Sequence, residues 1–159
     1  MIRVVDVAHV NLNVTDLERS EKFYTEILGF RVSMKAEGQI VWLNMGQFRD
    51  GDNIGFHDVA LFQVPYGPAE NYRKRPGLNH AAFRLQTAEE VDQAAEYLKS
   101  KGVKVLKGPL THSEDQDRYV YFEDPDGNVL ELVASTLPEF PQKYLRQERR
   151  AGLRGQRSR

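Results

Sequence analysis

VAHVNLNV at 7–14 and LNHAAFRL at 78–85 are two versions of one strand, each carrying a histidine at the same place, His9 and His80. Each is followed by a helix-like stretch that closes on a glycine, Gly29 or Gly102, and then by a short strand, FRV at 30–32 or VKV at 103–105. The histidines lie 71 residues apart (80 minus 9) and the glycines 73 (102 minus 29), a drift that two residues in a loop absorb. Self-similarity at a fixed offset marks one supersecondary unit used twice.

Working outward, the first helix is expected to start at Thr15 or Asp16, either of which can cap it, and to run through Leu17, Phe23, Tyr24, Ile27 and Leu28 to the stop at Gly29. The second starts at a capping box, Thr87 with Glu90, and buries Val91, Ala94, Ala95 and Leu98 before Gly102. Two further strands follow in each half: IVWLNM and HDVALFQV in the first, YVYFED and NVLELVA in the second, the last pair joined by the DPDG turn at 124–127. Aligning DVALF from 58 with NVLEL from 128 makes Leu61 the counterpart of Glu131. The expected fold class is therefore α+β: two paired βαβββ modules, about 5–65 and 77–135, forming a curved mixed sheet with helices outside and a metal site in the cup between them. Residues 1–136 make one domain and 137–159 an appended tail. VPYGPAENYRKRPGLN at 64–79 reads as the linker.

Strand alternation sorts the faces, since side chains two apart share a side. Ala8, Val10, Leu12 and Val14 belong against the helix, leaving His9, Asn11 and Asn13 opposite; in the second module Ala81, Phe83 and Leu85 leave His80, Ala82 and Arg84. Glu131, between Val129 and Val133, shares the open face and needs a cation, a donor or a metal to be buried. Two symmetry-matched histidines and one carboxylate are the set that leaves coordination positions open on non-haem Fe(II). His57 falls on the face assigned to Leu61, and Trp42, Phe48 and Phe62 are candidates to line the pocket.

Composition narrows the function. There is no cysteine among the 159 residues, which removes disulfides, thiolate metal sites and a cysteine nucleophile. The net charge of -1 conceals a basic tail, seven Lys/Arg against two Asp/Glu from Leu137 onward (+5), on a body of 15 against 21 (-6). That charge belongs to an appendage, and without a recognition motif the chain is not expected to bind nucleic acid. No window approaches a membrane span and the start shows no signal peptide, so a cytoplasmic protein is expected.

Over residues 5–134 the sequence resembles the vicinal oxygen chelate superfamily, and within it the catechol 2,3-dioxygenases. The resemblance implies that His9, His80 and Glu131 hold Fe(II), with Mn(II) as the alternative ion. HDVAL at 57–61 resembles an extradiol dioxygenase segment whose histidine is the acid and base, so His57 takes that role. Tyr121, ten residues before Glu131, matches a tyrosine that hydrogen-bonds the catecholate; His112 matches a histidine behind the ligands, and Asn11 a further family position. Glyoxalase I usually carries a second metal carboxylate at the place given to Leu61, which is missing here. The expected activity is extradiol cleavage of a small aromatic diol by O2, in a chain free to form a homo-oligomer. A metal-dependent lyase or isomerase and a non-catalytic drug-binding module are the alternatives.

Overall fold

The computed structural model describes Ile2, Val4, 7–46, 56–68 and 71–137. Phe48, two residues of the linker and the basic tail beyond Leu137 lie outside the described residues. Two units of like topology are present. The first contains β1 (Val10–Val14), α1 (Leu17–Lys22), β2 (Arg31–Ala36), β3 (Ile40–Asn44) and β4 (Val59–Gln63); the second contains β5 (Ala81–Arg84), α2 (Ala88–Ser100), β6 (Val105–Thr111), β7 (Asp117–Glu123) and β8 (Val129–Ser135). Each builds a four-stranded mixed sheet, in the orders β1-β4-β3-β2 and β5-β8-β7-β6, so the α+β class with paired βαβββ modules holds.

Both helices start where the sequence places them. Asp16 accepts from the Arg19 amide at 3.0 Å to cap α1, and the Thr87–Glu90 capping box is complete on α2. α1 widens into one π turn over Phe23–Ile27, a local insertion that periodicity does not announce. Gly29 and Gly102 stop the helices at φ 74° and 72°, where a side chain would be strained.

The register corrects the internal alignment. β1 and β4 pair in parallel with Asn11 opposite Ala60 and Leu12 opposite Leu61, while β5 and β8 pair with Ala82 opposite Glu131 and Phe83 opposite Leu132. Parallel partners share a face, so the counterpart of Glu131 is Ala60, at the histidine offset of 71 (131 minus 60). Leu61 is fully buried on the helix side with Leu12, Val14, Val41 and Leu43. The position given to Leu61 beside the metal is therefore wrong by one residue, and a slip of one residue in a strand exchanges its faces.

The packing of the modules also differs from the expectation. The sheets share no strand pairing, and their helix-covered faces meet in a single core, with Phe30 against Phe83 (ring centroids 5.3 Å) and Phe23 against Phe122 (6.5 Å). The DPDGN segment bolts the halves together. Asp126 accepts from the Thr15 amide at 3.1 Å, the Ser20 hydroxyl at 3.2 Å and Arg19 at 2.9 Å, and also from the Thr15 hydroxyl, while Asp124 accepts from the Tyr24 hydroxyl at 3.0 Å. The open faces of the sheets consequently point away from this core: Asn11, Asn13, Ala82 and Arg84 are exposed, while their strand neighbours Leu12, Val14, Ala81 and Phe83 are buried.

Candidate metal centre

The open face of the second sheet carries a compact polar group. Glu131 sits in the middle of β8, only 5% exposed, and pairs across to Tyr121 on β7 and Ala82 on β5. His80, just before β5, holds Nε2 at 3.0 Å from one carboxylate oxygen, and His112, beyond β6, holds its Nε2 at 3.5 Å from the other. Tyr121 hydrogen-bonds the same carboxylate; partial burial first, and then the Glu131 charge and that bond, push its phenol above the ordinary range. His112 stacks on Tyr119 with ring centroids 3.8 Å apart, which fixes the plane of its imidazole.

Asn79 was missed from sequence. Its Oδ1 lies 2.8 Å from His80 Nδ1, and with Nδ1–H donating there, the lone pair of Nε2 is turned toward Glu131. A proton on Nε2 bridges the 3.0 Å to the carboxylate as a hydrogen bond, and a cation can take its place. The same spacing suits two adjacent ligands, since donors at right angles and about 2.1 Å from an ion stand about 3 Å apart. No Arg or Lys reaches Glu131 among the described residues, so its buried charge is met by imidazoles and a phenol alone. The donors fit a divalent metal.

On the first module the corresponding face gathers His9, His57 and Trp42. The His9 and His57 rings are 4.4 Å apart and His57 stands 6.5 Å from Trp42 in an edge-on arrangement. Trp42 pairs with Ala60 and Ala60 with Asn11, so Asn11 belongs to the same open face. His57 reaches this face by a different route from the one expected. The bend at Asp58 breaks the alternation, with the Asp58 amide bonded to the Leu43 carbonyl at 2.8 Å and its carboxylate accepting from the Met45 amide at 2.9 Å.

Within one chain, the structure thus collects His80, His112, Glu131 and Tyr121 on one side and His9, His57 and Asn11 on another. Among the described residues, no group of three His, Asp or Glu side chains is placed to hold a metal ion. His9 and His80 stand just ahead of β1 and β5, which are both edge strands.

Two like βαβββ modules, each with a histidine just ahead of its first strand, define a class of protein built by duplication. The chain belongs to the Glyoxalase/Bleomycin resistance protein/Dioxygenase superfamily, whose family model matches residues 6–132. It is 33% identical over 132 residues to the uncharacterized protein YqjT of Bacillus subtilis, covering 79% of this chain and 96% of that one. To the fosfomycin resistance protein FosX of Listeria monocytogenes it is 30% identical over 138 residues, 87% of this chain and 96% of FosX. A crystal structure of that FosX superposes with a TM-score of 0.63 at 25% identity, over 86% of this chain and 97% of that chain. No helix among the described residues is long and apolar enough to cross a membrane.

Proposed function

We propose that the chain is an enzyme in which one divalent metal, Fe(II) or Mn(II), is held by His80 and Glu131 of one copy and His9 of a second copy. The observation that carries this reading is the buried Glu131 carboxylate facing His80 Nε2 at 3.0 Å with no Arg or Lys partner among the described residues. Topology supports the second copy. β1 and β5 each leave one edge of a sheet unpaired, and joining β1 of one copy to β5 of another extends two four-stranded sheets into one of eight. His9 then stands at the seam beside His80, and each cup is lined by one module from each copy.

The proposed reaction is extradiol cleavage of a small aromatic diol. The metal supplies the Lewis acidity and electron-transfer capacity that binding a catecholate and using O2 require. Around it the chain's own groups have separate tasks. His57, held by His9 and Trp42, exchanges protons at the substrate oxygen. Trp42 and the half-buried Phe62 form an apolar wall that excludes water from the ring. Tyr121 and Asn11 offer hydrogen bonds to the substrate oxygens, and His112 with Asn79 holds Glu131 and His80 in place.

Anaerobic Fe(II) loading followed by oxygen uptake on a panel of catechols tests the reaction. Ring cleavage supports it, and an iron-loaded protein that consumes no oxygen with any of them overturns it. The FosX relationship favours a second reading, a metal-assisted reaction at a small oxygenated substrate without O2, and turnover under nitrogen would select it.

A further inference from the structure

Among the described residues, the charges on the open face of the second sheet are matched with one exception. Glu123, facing the same side as Tyr121 and Glu131 along β7 and β8, pairs with Lys104 at 3.1 Å and with Arg73. Asp117, two residues before Tyr119, pairs with Arg84 at 2.8 Å. Lys107 is different. It stands opposite Tyr121 in the β6–β7 ladder and so shares that face, it is exposed, and among the described residues no carboxylate pairs with it. Its ammonium is held instead over the ring of Tyr119, 5.6 Å from the centroid, the same ring on which His112 stacks.

We infer that Lys107 is a specificity residue that receives a carboxylate carried by the substrate, making the preferred ligand an acidic vicinal diol. Lys107, Tyr121 and Glu131 form one row across three neighbouring strands. At a strand spacing of about 4.8 Å, the backbones of Lys107 and Glu131 are about 10 Å apart, a span that a single aromatic ring with a substituent on each side fills. A diol bound at a metal held by Glu131 would therefore present its far substituent to the Lys107 ammonium. Among the described residues the other cations on this face, Lys104, Arg73 and Arg84, already have anionic partners, so Lys107 gains one when such a substrate binds. The inference rests on the metal site proposed above.

The test compares 3,4-dihydroxybenzoate with 3,4-dihydroxybenzamide, which has nearly the same shape and no charge, by anaerobic equilibrium binding to the iron-loaded protein. The carboxylate should bind roughly twofold to fivefold more tightly at low salt, the range an exposed ion pair provides, and the ratio should shrink toward one in high salt. Lys107→Met should bring the ratio close to one at low salt, and Lys107→Arg should retain it. A ratio near one in the wild type, or a wild-type ratio unchanged in Lys107→Met, overturns the inference while leaving the metal site standing. If neither diol binds the iron-loaded wild type, the proposed function falls and this inference falls with it.

Discussion

Asp126→Ala is expected to weaken the whole molecule, although position 126 lies in a turn. The carboxylate accepts from Thr15 through both its amide and its hydroxyl, from Ser20 and from Arg19, all of them on the other module. A hydrogen bond to a charged group contributes about 1.5–3 kcal/mol, but these share one acceptor and do not add fully. The Arg19 side chain is 47% exposed, so that arm is discounted to below about 1 kcal/mol. Water can also reach the Thr15 amide once the carboxylate is gone. The net expectation is a loss of about 2–4 kcal/mol in urea unfolding at neutral pH with an unchanged slope. Glu18→Ala is the control: its i,i+4 pair with Lys22 is exposed on both sides and should cost no more than about 0.5 kcal/mol. An Asp126→Ala loss no greater than the Glu18→Ala loss would refute the idea that this turn clamps the modules.

The same carboxylate makes a pH prediction: burial opposes its ionisation, but the bonds from Thr15 and the Arg19 charge outweigh burial and hold its pKa below the ordinary value. Its contribution is present above the unfolded value, about 3.9, and is lost as pH falls through the lower folded value, so acid unfolding of Asp126→Asn should show a shallower loss below about pH 4. Leu61→Ala should cost about 2–5 kcal/mol by chemical denaturation while leaving metal content unchanged, because Leu61 is fully buried on the helix side; a loss of metal at intact fold would restore the one-residue alternative. Gly108→Ala should destabilise the β6–β7 ladder, measured as a lower Tm, since φ there is 97° and a Cβ would stand 2.5 Å from the Tyr119 carbonyl oxygen. His57→Phe should retain iron yet slow the chemical step by about 10² to 10⁴ in single turnover; normal turnover, or failure through lost iron, would show that His57 is not the proton-transfer group.

Much of the architecture was legible because it was written twice. His9 and His80, Gly29 and Gly102, and the Thr87 capping box mark strand, helix stop and helix start by local chemistry that the fold keeps. What the sequence hid depends on contacts without a local signature. A one-residue ambiguity between Ala60 and Leu61 could not be settled from hydrophobicity, because the first half has apolar residues at both places; only the ladder to Asn11 and Leu12 decides it. His57 was assigned to the correct face through an incorrect register, and the bend at Asp58 supplied the compensating turn. Asn79, next to a histidine in a proline- and glycine-rich linker, reads as a turn residue until its oxygen is seen on the ring. The DPDGN run reads as a tight turn, and its grip on Thr15, Ser20 and Tyr24 spans a hundred residues or more of sequence. Helices outside a shared sheet and helices in a common core use the same amphipathic pattern, so alternation alone could not choose between them.

A metal site that draws His9 from one copy and His80 with Glu131 from another can be restored by complementation between two metal-free variants. His9→Ala and Glu131→Ala, each folded and each depleted of iron alone, are unfolded together, refolded as a mixture and loaded with Fe(II). Shared sites make one centre of each mixed pair intact, so roughly a quarter of the wild-type metal should return when mixing is random. If the mixture binds no more iron than the two variants do separately, although mixed pairs have formed, the site is not built between copies.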